Sequence, residues 1–180
     1  MRLLFVGPPG AGKGTQAARV AERLGIPHVS TGDMFRALDD TTDLGRRVKA
    51  IMQAGDYVSD GIVVEMLEER IARPDAAGGF ILDGFPRTAG QVSALDGLLG
   101  EDGLDRVVVF EVDEDELVAR MLSRGRADDT EETIRNRFRV YEEQTAPLIE
   151  EYDRRGRVIR VHGVGKIDEI TERVLDTIEA

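Results

Sequence analysis

Short apolar runs alternate along this chain with longer stretches in which apolar residues recur at helical spacing. The runs are Leu3–Val6, Val29 with its neighbours, Phe80–Leu82, Val107–Val112 and Val158–Val161. They are continuous rather than alternating, as parallel strands covered by helices on both faces require. Between them, Ala17, Val20, Ala21 and Leu24 form a stripe stopped by Gly25. Leu44, Val48 and Ile51 form the next, closed by Gly55, and Val63, Met66, Leu67 and Ile71 a third, with Pro74 behind them. Val92, Leu95 and Leu99 precede Gly100, and Leu117, Met121 and Leu122 precede Gly125. Ile134, Phe138 and Tyr141 follow, then Leu148, Ile149 and Tyr152 before Gly156, and last Ile167, Ile170, Val174 and Ile178. Glycine at a stripe's end is a helix stop. This alternation predicts an α/β fold with a doubly wound, five-stranded parallel sheet.

Two intervals depart from the rhythm. From Thr31 to Pro74 the pattern holds about three helical segments and no strand, which predicts a helical insertion after the second strand. The Arg-rich turn Arg124–Thr130 joins two helices directly. With no repeat or low-complexity linker, residues 1–180 read as one domain.

Composition narrows the classes of function. Lys and Arg number 24 against 35 Asp and Glu, a formal charge of −11 that disfavours nucleic acid and anionic membranes as partners. No Cys is present, so disulfides, thiol catalysis and thiolate zinc sites are excluded. The apolar run Leu3–Val6 is too short for a signal-peptide core, and a cytoplasmic chain is expected.

The sharpest chemical signal is Gly7-Pro8-Pro9-Gly10-Ala11-Gly12-Lys13-Gly14-Thr15, between the first strand and the first helix. Glycines let such a loop wrap so that successive backbone N–H groups face an anion. The helix N-terminus adds its dipole, and Lys13 brings a mobile charge to the terminal phosphates of a nucleotide. Gly14 follows Lys13 and the hydroxyl is displaced to Thr15, which speaks against direct hydroxyl ligation of Mg²⁺.

Ser30-Thr31-Gly32-Asp33-Met34-Phe35-Arg36 ends the second strand, and Asp83-Gly84-Phe85-Pro86-Arg87 the third, with Gln91 following. Six arginines crowd residues 118–139: Arg120, Arg124, Arg126, Arg135, Arg137 and Arg139. Ligands of parallel α/β sheets collect beyond the carboxyl ends of the strands, where Thr31 and Asp83 fall. Arg36 and Arg87 are suited to grip a phosphate by paired donors. Arg135 and Arg139 read as solvated charges paired with Glu131, Glu132 and Glu142, and His28 and His162 as ordinary structural residues.

Together with the phosphate loop, these segments resemble the signatures of the nucleoside monophosphate kinases, the adenylate kinase family in particular. The likeness extends through Gly125–Thr130 and Thr145-Ala146-Pro147-Leu148 over essentially the whole chain. It implies a P-loop kinase fold with a core of residues 1–29, 59–124 and 131–180. A monophosphate-binding segment at about 30–58 and a short lid at about 125–130, without zinc, complete it. It implies a phosphotransferase moving the γ-phosphoryl of MgATP to AMP, giving two ADP, in a monomer.

The resemblance also distributes roles. ATP falls to Gly10, Ala11, Gly12, Lys13, Gly14, Thr15, Arg120, Arg124 and Gly165. AMP falls to Thr31, Arg36, the backbone of Asp56, Tyr57 and Val58, then Gly84, Phe85, Pro86, Arg87 and Gln91, with Arg126 and Arg137 closing on the phosphates. Lys13, Arg87, Arg124, Arg126 and Arg137 are the candidate catalytic set, and Asp83 reaches Mg²⁺ through water. Two other readings stay open: a CMP- or UMP-directed kinase, and a nucleotide-dependent switch or binding protein.

Overall fold

The computed structural model describes residues 1–100, 103–123, 125 and 130–179. Its strands are β1 (Arg2–Val6), β2 (His28–Ser30), β3 (Phe80–Asp83), β4 (Arg106–Glu111) and β5 (Val158–His162). They form one sheet in the order β2-β3-β1-β4-β5, and every pairing is parallel. The five-stranded parallel sheet expected from the apolar runs is therefore present.

Strand side chains alternate between two apolar layers, following the period of two. Leu3, Phe5, Ile81, Val108, Phe110 and Val161 face one layer, completed by Ala17 and Val20 of α1 (Lys13–Leu24) and Ile170 and Val174 of α9 (Ile167–Glu179). Leu4, Val6, Leu82, Val107 and Val109 face the other. That layer is filled from α4 (Asp60–Ile71) by Val63 and Leu67, from α5 (Ala89–Leu99) by Val92 and Leu95, and from α8 (Ala146–Arg154) by Leu148 and Tyr152. Helices α1 and α5 thus leave the adjacent strands β1 and β3 toward opposite faces, which opens a crevice at their carboxyl ends.

The interval from Thr31 to Pro74 carries three helices and no strand: α2 (Thr31–Arg36), α3 (Asp43–Ala54) and α4. Beyond β4, α6 (Glu114–Ser123) precedes α7 (Glu131–Val140), and of the turn between them only Gly125 and Thr130 are described. Residues Tyr141–Thr145 then form a π-helical turn before α8. The apolar spacing predicts two helices there and gives no sign of the widened turn between them.

Three positions in the apolar stripes are corrected. Leu44, Leu122 and Ile167 are exposed. Each sits in the first or last turn of its helix, where the stripe runs past the neighbouring layer. Val48, Leu117 with Met121, and Ile170 are buried within the same helices. One clamp fixes α1 behind the phosphate loop: buried Gln16 donates to the Ile167 carbonyl (3.1 Å) and accepts from the Thr171 hydroxyl (2.8 Å).

Tyr152 is buried, and its hydroxyl has no hydrogen-bond partner among the described residues. Burial pushes its phenol pKa up. Since a buried hydroxyl without a partner costs desolvation, Tyr152→Phe should be neutral or stabilising by up to about 1 kcal/mol. Urea unfolding midpoints of the two proteins check this, and a loss of more than about 1 kcal/mol would contradict it.

Candidate active site

The crevice at the carboxyl ends of β1, β2 and β3 is a cavity of about 630 Å³. The phosphate loop forms one wall: Gly10, Gly12, Lys13, Gly14 and Thr15 all line it, whereas Ala11 is buried in the layer beneath. At Gly10 the backbone is left-handed (φ +85°), and a Cβ would lie 2.7 Å from the Leu117 carbonyl oxygen. No other residue fits there without displacing α6. The Lys13 ammonium turns back over its own loop and donates to the carbonyls of Gly7 (2.7 Å) and Pro8 (2.9 Å). Arg120 reaches the same wall from α6, its Nε held by Glu116 Oε1 at 2.8 Å.

Asp83 closes the floor between β1 and β2. A Cβ on Gly14 would come within 3.2 Å of its Oδ2, so the glycine leaves room beside the carboxylate. Burial alone would raise the Asp83 pKa, but the His28 imidazole beside it, then the charges of Lys13 and Arg87, hold it below the ordinary carboxylate value. His28 Nε2 stands 3.4 Å from Asp83 Oδ2 without forming a hydrogen bond. A buried, ionised carboxylate next to a phosphate loop, with space left by Gly14, suits a hydrated divalent cation.

The depressed pKa also sets a stability window. The Asp83 contribution is fully present above the ordinary carboxylate value of 3.8 and is lost as pH falls through the lower folded value. Wild type should therefore exceed Asp83→Asn in stability at about pH 7, with the gap closing below about pH 4. Denaturant midpoints across that range measure it, and a gap independent of pH would contradict it.

The opposite wall is built from segments distant in sequence. Arg87 is held at several points: its Nε donates to the Gly84 carbonyl (2.6 Å), and its guanidinium lies 4.9 Å over the Tyr57 ring. Its backbone N–H donates to Gln91 Oε1 (2.7 Å), and its carbonyl accepts from the Thr145 hydroxyl (3.0 Å). Thr145 in turn meets the Tyr57 hydroxyl at 2.8 Å. The π turn places both Tyr141 and Thr145 on the cavity, a use of such widened turns found elsewhere. Burial drives the Tyr141 phenol pKa up to about 12, so it stays a neutral donor near neutral pH.

The end of α3 is fastened to α7 beneath this wall. Thr133 donates to the Gln53 carbonyl (2.9 Å), and Asn136 donates to the Ala54 carbonyl and Asp56 Oδ1 (both 2.8 Å). That positions Asp56, Tyr57 and Val58, which line the cavity with Gly84, Phe85, Pro86, Gln91 and Arg137. Arg36 lines it too, paired with Asp33 one turn back at 2.5 Å.

Some candidates fall elsewhere. Thr31 is buried and does not line the cavity; its hydroxyl donates to the Gly84 carbonyl at 2.9 Å. Gly165 lies in the loop after β5, outside the cavity lining. Arg124 and Arg126 lie outside the described residues. Arg135 pairs with Glu131, one of the expected partners, and Arg139 pairs with Glu143 (3.0 Å), which was not among them. Sequence reasoning missed the cavity roles of His28, the Tyr57 side chain, Tyr141 and Thr145. Thr145 stood inside a recognised segment without a task, and Tyr57 was assigned through its backbone only.

Residues 5–157 match the family model described as adenylate kinase. An adenylate kinase of Kocuria rhizophila is 52% identical over 99% of this chain and 98% of its own. One from Nocardia farcinica is 54% identical over 97% of both chains, and one from Stenotrophomonas maltophilia 52% identical over the full length of both. Fold, cavity and near-complete similarity agree: this chain belongs to the adenylate kinase family.

Proposed function

We propose that this cavity carries reversible transfer of the γ-phosphoryl of MgATP to AMP, giving two ADP, with donor and acceptor on its two opposing walls. The observation that carries the reading is the double set of cations in one cavity. Lys13 and Arg120 stand on the phosphate-loop wall, and Arg36, Arg87 and Arg137 on the other. One nucleotide needs only the first set, and two polyanions meeting in line need both.

The donor phosphates lie along Gly10, Ala11, Gly12, Lys13, Gly14 and Thr15, with Arg120 and Arg124 beside the nucleotide and Gly165 near its base. AMP lies against Asp56, Tyr57, Val58 and Gly84–Arg87. Arg36 and Arg87 grip its phosphate, Gln91 meets its base, and Thr31 holds the Gly84 carbonyl that shapes the site. We assign residues 30–58 to acceptor binding and the turn at 125–130 to the lid, with Arg126 and Arg137 given the role of closing on the phosphates. The acceptor is itself a phosphate with a second pKa of about 6, so no general base is required. Asp83 would hold Mg²⁺ through water, and the ion, bound with ATP, would offset charge on the transferred group. Excluding water protects the phosphoryl group from hydrolysis.

With a net charge of −11, and no helix among the described residues long and apolar enough to cross a membrane, a monomeric cytoplasmic enzyme acting on free nucleotides is the reading we attach to the chain. The reverse reaction tests it. MgADP supplied alone should yield ATP and AMP in equal amounts. ADP left unconsumed, or AMP released with free phosphate, would overturn the two-site reading.

A further inference from the structure

We propose that Asp60, the first residue of α4, is a positioning residue that locks the sense of the Gln91 amide and so selects the acceptor base. Gln91 is 2% exposed, and both ends of its amide are engaged. Its Nε2 donates to Asp60 Oδ1 at 2.7 Å, and its Oε1 accepts from the Arg87 backbone N–H at 2.7 Å. A carboxylate oxygen only accepts and a backbone N–H only donates, so these partners admit one orientation. A flipped amide would set oxygen against carboxylate and N–H against N–H, both repulsive. Asp60 is itself held, since Thr88 donates to its Oδ2 at 2.9 Å. Thr88 also caps α5, accepting from the Gln91 backbone N–H at 3.2 Å.

A primary amide has two N–H donors and two acceptor lone pairs. The two contacts leave Gln91 one N–H and one lone pair, in an order that cannot be exchanged. Adenine presents an acceptor at N1 beside a donor at N6, and cytosine the same order at N3 and N4. Guanine presents a donor at N1 beside an acceptor at O6, and uracil the reverse of cytosine. An amide free to turn would serve both orders. A locked one sorts adenine and cytosine from guanine and uracil, and the size of the base must then separate purine from pyrimidine. The inference rests on the reading that Gln91 faces the acceptor base. It adds that the discrimination is written by Asp60, 31 residues away.

Asp60→Asn keeps the shape but offers either a donor or an acceptor toward Gln91, so the lock loosens. The ratio of kcat/KM for AMP over GMP, and over UMP, should fall at least about fivefold. The loss for AMP should lie in KM, and the KM for MgATP should stay at its wild-type value. A variant with wild-type ratios would overturn the inference, as would one in which the MgATP KM rises as much as the AMP KM. Gln91→Ala separates the two layers of the argument. If it removes the selectivity while Asp60→Asn keeps it, the Asp60 role alone is wrong. If Gln91→Ala leaves the selectivity intact, the base-facing reading fails and this inference with it. Wild-type protein supplies a check that needs no variant: the Gln91 side-chain N–H bound to Asp60 should be protected from hydrogen exchange. Exchange at the rate of a solvated amide would overturn the lock.

Discussion

Lys13→Met lowers turnover at least about a hundredfold, the scale for removing one preorganised charge from a developing polyanion. Methionine matches the length of the lysine stem and carries no charge, so the loop keeps its volume. The Lys13 ammonium donates to carbonyls of its own loop, at 2.7 and 2.9 Å, and α1 is clamped separately through Gln16, so the helix behind the loop keeps its anchor in the variant. The loss therefore falls on the chemical step, with the KM for AMP changed far less. Rapid-quench measurement of a single turnover reads it directly. Turnover near the wild-type rate would remove Lys13 from the mechanism.

Arg87→Ala produces the second large loss, on the acceptor side. Its guanidinium is oriented by the Gly84 carbonyl and the Tyr57 ring, and a bidentate charged contact to phosphate held this rigidly is expected to reduce kcat/KM for AMP by about a hundredfold or more when removed. The contacts to the Arg87 backbone, from Thr145 and to Gln91, survive the substitution, so the wall stays in place. The KM for MgATP should change little. Varying each nucleotide in turn separates the two, and unchanged AMP kinetics would show that Arg87 does not meet the acceptor.

The contrast between what was legible in the residues and what was not follows the range of the interactions. Strands β1, β3 and β4 announce themselves because a doubly covered strand must be apolar throughout, and the phosphate loop because its glycines are contiguous. The second wall of the cavity depends instead on pairs far apart in the chain. Tyr57 meets Thr145 across 88 residues, and Gln91 meets Asp60 across 31. No local period encodes either. His28 approaches Asp83 because β2 pairs with β3, a neighbour relation set by topology. Thr31 lies on a recognised segment, yet its hydroxyl turns to Gly84, a choice made by the fold and invisible to the motif. The exposed Leu44, Leu122 and Ile167 show the same limit at helix ends, where the stripe continues but the neighbouring layer does not.

The central claim is that two nucleotides occupy opposite walls of one cavity and that water is shut out when they do. Product analysis with MgATP and, separately, AMP, CMP, UMP, GMP or no acceptor tests it most directly. The expected result is two ADP formed per AMP consumed, strong preference for AMP, and little ATP loss without an acceptor. Preference for UMP would keep the two-wall mechanism and contradict the base assignment at Gln91, whereas preference for CMP would keep that amide order and contradict the choice of AMP as acceptor. ATP hydrolysed equally with and without acceptor, or bound and never transferred, would contradict the account itself.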